Sequence, residues 1–335
     1  MKLGLIGAGR IGKLHGEIVT YNIPGADIKT VANIYADQAK EWADHLRIAN
    51  LTADYKDILR DPEIDAVLIC SSTDTHAQMI IEAAEAGKHI FCEKPIDFDL
   101  ERIRQALRAA EAATVKLQIG FNRRFDHNFR KVREVVENGN LGDVHIVKIT
   151  SRDPAPPPIE YVKVSGGIFL DMAIHDFDMA RYLSASEVDT VFAQGAVLID
   201  PEIGKLGDVD TAITTLTFKN GALGVIDNSR QAVYGYDQRV EVFGSKGYVE
   251  VQNDYPNSAI LSTADGVTRE KPHYFFLERY KTSYIEELKA FTEAVIKDEE
   301  TPVTGNDGLQ PVLIGVAALR SLKENRPVAI EEMLA

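Results

Sequence analysis

The feature that most limits how this chain can fold is the alternation of its first 120 residues. Short apolar runs at 3–6, 28–33, 66–70, 88–92 and 115–120 are separated by segments with helical apolar spacing: Ile11 to Tyr21, Gln38 to Leu46, Ala77 to Ala86 and Leu100 to Ala113. Strands divided by crossover helices cannot pair as hairpins. They require a parallel, doubly wound sheet with helices on both faces. Such sheets take ligands beyond the carboxyl ends of their strands, which is where functional residues are to be sought.

After Phe121 the pattern changes. A helical stretch from Asn128 to Glu137 stops at Asn138-Gly139-Asn140. Longer β-branched runs with period two follow: Val144 to Thr150, Thr190 to Val197, Ala212 to Phe218, Ala222 to Asn228 and Gln238 to Phe243. Turn pairs such as Asn220-Gly221 and Lys246-Gly247 join several of them, so this half is expected to be α+β on a mostly antiparallel sheet, with helices on one face. Pro154, Pro156, Pro157 and Pro158 make a stiff, extended loop, and helical segments at 280–297 and 308–324 end the chain. The fold class is therefore α/β followed by α+β. The expected domains are 1–121 and 122–335, with the last helices free to pack back on the first domain.

Composition narrows the function. With 335 residues the chain is long enough for two cores. A net charge of −14 argues against nucleic-acid and anionic-membrane partners, both of which want a basic face. No apolar run approaches the ~20 residues that cross a bilayer, and no apolar leader precedes the first strand, so the cytoplasm is the expected compartment. Cys70 and Cys92 both end strand-like runs and read as small buried hydrophobes rather than a redox pair.

Four motifs carry chemistry. Gly7-Ala8-Gly9-Arg10-Ile11-Gly12 lies between the first strand and the first helix, the context that a dinucleotide fingerprint needs. Gly7 permits the turn, Gly9 a close approach of pyrophosphate, and Gly12 close helix–strand packing, while the helix N-terminus offers free N–H groups to phosphate. The ribose-reading position at the end of the second strand is Asn33, where NAD enzymes usually carry Asp or Glu. No basic clamp for a 2′-phosphate follows before Lys40, so NAD is favoured, with NADP not excluded and Arg10 as a possible substitute clamp. Ser71-Ser72-Thr73-Asp74-Thr75-His76 ends a buried strand. Its hydroxyls suit either helix capping, through Thr75 or Asp74, or cofactor contact. Glu93-Lys94-Pro95 ends the next strand and aims a lysine at the ligand edge of the sheet. Finally, Asp171, His175 and Asp178 fall within about 60° of one another on a helix that is otherwise apolar. Such a polar stripe must face a cavity or be paired. A structural ion pair with Arg181 and a metal site are the competing readings; zinc is disfavoured by the lack of a nearby cysteine.

With these motifs in order, the chain resembles the glucose–fructose oxidoreductase and inositol dehydrogenase family, and within it the inositol 2-dehydrogenases. Ser151-Arg152-Asp153-Pro154, Gly166-Gly167 and Phe121-Asn122-Arg123-Arg124-Phe125 add to the likeness. The resemblance implies an N-terminal Rossmann domain, and a C-terminal open sheet that makes dimer and tetramer contacts. It implies Lys94, Asp171 and His175 as catalytic residues, and Arg124, Asp153 and Tyr236, beside Lys94, Asp171 and His175, as the lining of a polyol pocket. The cofactor set is Gly7, Gly9, Arg10, Ile11, Gly12, Asn33, Ser71, Ser72, Thr73, His76, Glu93 and Lys94. The expected reaction moves hydride from a ring CH–OH of myo-inositol, with scyllo-inositol the second candidate, to NAD. In that reaction His175 is the base and Lys94 the donor to the reacting oxygen, while Asp171 orients the imidazole or holds a second hydroxyl. A sugar or ketosugar dehydrogenase of the same family is the rival, and a non-catalytic dinucleotide sensor a more distant one. No metal is expected.

Overall fold

The computed structural model describes residues 1–334 and divides them into two compact units. The first comprises Met1–Asn122 and Thr282–Val312, the second Arg123–Lys281 and the residues from Leu313 onward.

In the first unit, β1 (Lys2–Ile6), α1 (Arg10–Asn22), β2 (Asp27–Ala32), α2 (Ala36–His45), β3 (Asn50–Thr52), α3 (Lys56–Arg60), β4 (Ala66–Ile69), α4 (Thr73–Glu85), β5 (His89–Glu93), α5 (Leu100–Ala112) and β6 (Leu117–Gly120) follow one another. The six strands make one parallel sheet in the order β3-β2-β1-β4-β5-β6, so the order reverses between β1 and β4. β4 is buried along its whole length, which explains its unbroken Ala66-Val67-Leu68-Ile69 run. The short edge strand β3 has no apolar run and was not among the expected strands.

The first pass of the chain through the first unit ends at Asn122, and the second unit is not continuous to the end. Residues 282–312 return to the first: Ile119 N–H donates to Val303 O at 3.1 Å, and Thr301 Oγ1 to Leu117 O at 2.7 Å.

The second unit contains α6 (His127–Glu137), β7 (Val144–Arg152), α7 (Ile159–Ser165), a wide π-helical turn (Ile168–Met172), α8 (Ile174–Ser184), β8 (Val188–Ala196), α9 (Pro201–Lys205), β9 (Thr211–Phe218), β10 (Leu223–Ser229), β11 (Asp237–Gly244) and β12 (Gly247–Val251). A small hairpin of β13 (Ile260–Thr263) and β14 (Gly266–Arg269) and the one-turn α10 (Phe276–Arg279) precede α11 (Lys281–Lys297) and α12 (Gly305–Glu324), and β15 (Val328–Ala329) ends the set. Seven strands form a sheet ordered β12-β11-β7-β10-β9-β8-β15. All its pairs are antiparallel except β7 with β10. β9 alternates buried and exposed residues along Thr211–Phe218, so one face packs on the core and the other is open. Among the described residues, no helix is long and apolar enough to cross a membrane.

Candidate functional site

In the first unit, Ile6 of β1 pairs with Ile69 of β4, so the turns that follow these strands meet where the strand order reverses. Gly7 turns there with φ +93°, and a Cβ on Gly12 would lie 1.9 Å from the Gly7 oxygen. Helix α1 can start this close to the turn only with glycine at both positions. Around Gly9 the space is open, α1 begins at Arg10 and Ile11 with no side-chain cap, and its first turn carries no acid. Its N–H groups and positive dipole end are left for an anion. Helix α4, with Ser72 at its N-cap position and Thr73 first in the helix, also has no side-chain cap, though its first turn carries Asp74. Ser71 Oγ shares a hydrogen bond with Thr75 Oγ1 at 2.7 Å, and Thr75 Oγ1 donates to Ser72 O. Thr75 thus does not serve as the cap considered for it. Helices α2 and α3 likewise lack a side-chain cap, whereas α5 is capped by Asp99. The residues present fit the phosphates of a dinucleotide.

Asn33 was expected to read the ribose, and the structure adds another use. Its Oδ1 accepts Ala8 N–H at 3.2 Å and its Nδ2 donates to Tyr35 O at 2.9 Å, so it ties the glycine turn to the end of β2. His76, expected beside the cofactor, is buried with its ring nitrogens facing Pro95 O at 2.8 Å and Ser71 O at 3.0 Å, so it braces the two turns. Glu93 is likewise turned inward, 2.6 Å from His15 Nε2. Lys94, the next residue, stands half-buried beyond the end of β5.

In the second unit, β7 and β10 run parallel with Arg152 opposite Ser229, so Asp153 and Arg230 leave neighbouring strand ends together. Backbone bonds hold both: Asp153 N–H to Ser229 O at 2.9 Å and Arg230 N–H to Asp210 O at 2.8 Å. The buried Arg230 guanidinium then bridges Asp153 Oδ2 at 3.4 Å and Asp171 Oδ2 at 3.1 Å. Tyr161 donates its hydroxyl to the other oxygen of Asp171 at 2.8 Å. Asp208 belongs to the same charge cluster and accepts Ile168 N–H. A Cβ on Gly167, at φ +76°, would meet the Asp208 carboxylate at 2.7 Å, so this close approach to a side chain needs glycine. Burial, with the charge of Asp171, pushes the Asp153 carboxyl up to about 6, against the pull of Arg230.

Asp171 and His175 do not share one regular helix. Asp171 lies in the π turn, Ala173 N–H reaches back to Ile168 O, and His175 is the second residue of α8. Asp178 stays three residues after His175 on α8, but its carboxylate is engaged in ion pairs. It is buried and held by Arg124 Nη2 at 2.6 Å, with Arg181 at 3.7 Å, so the ion-pair reading applies to Asp178. Arg124, expected in the polyol lining, holds Asp178 through both Nε and Nη2 of its guanidinium. Tyr236 is buried, its hydroxyl accepting from Arg123 Nη2 at 3.2 Å and its ring edge-on to Tyr280. Arg123 in turn pairs with the buried Asp176. Sequence reasoning missed Arg230, Tyr161 and Asp208. Only Arg230 left a signal, an arginine directly after a period-two strand.

A parallel sheet with two uncapped helices at its point of reversal in one unit, and a sheet bearing a polar acid–arginine cluster in the other, fit an NAD-binding oxidoreductase. Residues 1–121 match the oxidoreductase family with an NAD-binding Rossmann fold, and residues 129–250 match the GFO/IDH/MocA C-terminal domain. The chain belongs to the GFO/IDH/MocA family. It is 51% identical over 334 residues to a myo-inositol 2-dehydrogenase of Thermotoga maritima, covering 100% of both chains. It is 58% identical over 328 residues to an uncharacterized oxidoreductase, YrbE, of Bacillus subtilis, covering 98% of this chain and 96% of the other. A scyllo-inositol dehydrogenase of Lactobacillus casei, solved with NAD(H) and scyllo-inositol, superposes with a TM-score of 0.92 at 30% identity over 99% of each chain.

Proposed function

We propose that the chain oxidises a secondary alcohol of a cyclic polyol, myo-inositol first and scyllo-inositol second, to the corresponding keto-inositol. NAD, when bound, accepts the hydride. The protein's own part is to hold the ring and to move the hydroxyl proton. His175 takes that proton, since imidazole titrates near neutral pH, and Lys94 donates to the same oxygen and favours its anionic form. Asp171 and Asp153 accept hydrogen bonds from further ring hydroxyls. The observation that carries the reading is the cluster around Arg230, in which Asp153, Asp171 and Asp208 surround one guanidinium. An acidic surplus accepts hydroxyl donors and repels anionic sugars, so a neutral polyol fits it better than a sugar phosphate or sugar acid. Full-length likeness to inositol 2-dehydrogenases supports the same substrate class.

The test is NADH formation from a substrate panel. Inositols are expected to be oxidised far faster than glycerol or ethanol. Faster turnover of an open or pyranose sugar would move the chain to the rival sugar-dehydrogenase reading, and equal turnover of simple alcohols would sink both. The same reading takes the protein as a cytoplasmic homotetramer assembled through the open face of the second unit's sheet, where Ile213, Leu223 and Phe243 are exposed. Light scattering is expected to give a multiple of 37.0 kDa. A single-chain mass at micromolar concentration would refute that assembly.

A further inference from the structure

Inside the first unit lies a cluster of titratable groups that the reaction does not use. His15 sits on α1, one turn after Gly12, and Glu287 lies on α11; both are fully buried. Glu93 ends β5, on the same side of the strand as Phe91, whose ring packs edge-on to His15 at 5.1 Å. His15 Nε2 and Glu93 Oε1 are 2.6 Å apart. One nitrogen of His15 and one oxygen from each carboxyl lie within 4.8 Å of one another. Neither oxygen of Glu287 has a hydrogen-bond partner, nor has His15 Nδ1.

Two carboxylates cannot both be charged this close together in a dry interior. With Nδ1 unpartnered, the geometry assigns the proton to His15 Nε2, which donates it to an ionised Glu93. Glu287 then keeps its own proton: burial first, and the charge of Glu93 second, raise its carboxyl well above the usual range. The other titratable neighbours are thiols and a phenol. Burial likewise raises Cys70, at the end of β4, and Cys92, on β5, so both stay neutral. Tyr284 of α11 packs edge-on to His15 at 5.8 Å. A metal is the weaker occupant. Two donors that each lie about 2.0–2.2 Å from zinc sit roughly 3.3 Å apart around a tetrahedron, whereas 2.6 Å is a hydrogen bond.

We propose that His15, Glu93 and Glu287 form a buried unit carrying one negative charge, which fixes the end of β5 to α1 and so sets where Lys94 stands relative to the glycine turn. His15 and Glu93 are positioning residues, and Glu287 is the neutral wall that keeps their pair dry. The proposal rests on the role of Lys94 given above.

The experiment follows melting temperature from about pH 5 to 9, kcat and NAD affinity for the whole enzyme and for Glu287→Gln, His15→Gln and His15→Leu. A carboxyl whose folded pKa is raised contributes stability that is present below its unfolded pKa and lost as pH rises toward its folded pKa. Wild type is therefore expected to lose melting temperature relative to Glu287→Gln as pH rises, with or without a chelator. His15→Leu should lower kcat and NAD affinity together, kcat by about tenfold or more, because small misplacement of a reacting group is costly. His15→Gln, whose Nε2 can replace that of the imidazole, should recover most of both, and it remains informative if the leucine variant does not fold. Parallel pH profiles for wild type and Glu287→Gln would overturn the proposal, as would unchanged kcat in a folded His15→Leu. So would a rise in wild-type melting temperature on adding zinc that His15→Gln lacks. Lys94→Ala with full kcat would instead sink the assigned role of Lys94 while leaving the pH profile intact, so the two failures can be told apart.

Discussion

At the scale of single residues, the sequence showed which positions bear chemistry better than it showed what each one touches. Asn33, His76 and Arg124 were legible as polar residues at strand or helix ends, but each is engaged by a neighbour far away in sequence. Ala8 holds Asn33, Pro95 holds His76, and Asp178 holds Arg124. Such pairings depend on register and strand order, which no local pattern contains. Asp153 gives the clearest residue-level prediction. With its carboxyl pushed up to about 6, its proposed role of accepting substrate hydroxyls is expected to be full only above that pH. KM for inositol should therefore fall as pH rises through about 6, and Asp153→Asn, whose amide oxygen accepts at any pH, should flatten that dependence. Stability runs the opposite way. The raised carboxyl contributes stability below its unfolded pKa and loses it as pH rises through about 6, so the melting temperature of Asp153→Asn should gain on wild type over that interval. Identical KM–pH curves for the two proteins would remove Asp153 from the binding role.

At the scale of elements, strand and helix periods located nearly every segment of the parallel sheet, because strands buried on both faces read as unbroken apolar runs. What the periods could not show was the break between Leu170 and Ile174. A helix of uniform apolar character looks continuous, yet the Gly167 turn on Asp208 and the wide turn at Ile168–Met172 put Asp171 and His175 on separate segments. The short α7, lying between Pro158 and Gly166, was also missed, although Tyr161 on it reaches Asp171. His175, half-buried at the start of α8, is the base in the proposed reaction. His175→Ala should lower kcat by about 10²–10⁴-fold, the usual worth of general-base catalysis. NAD affinity and melting temperature should stay near wild type. A folded, NAD-binding variant that kept more than about a tenth of wild-type kcat would leave Lys94 as the candidate base.

At the scale of the whole molecule, the change from period-3.6 and buried-strand patterns to long period-two runs after Phe121 marked the second architecture. The return of residues 282–312 to the first unit showed only as an option open to the last helices, because an amphipathic helix records that it has a buried face and not which sheet covers it. Both halves serve one reaction in this account: the first binds a dinucleotide, and the second presents carboxylates and an imidazole to a hydroxyl-rich ring. The claim is tested most directly by the fate of the hydrogen itself. The protein is given NAD and myo-inositol deuterated at its ring carbons, and the mass of the NADH formed is measured. The account predicts NADH heavier by one deuterium. NADH of ordinary mass, or none at all with any cyclic polyol, would contradict it.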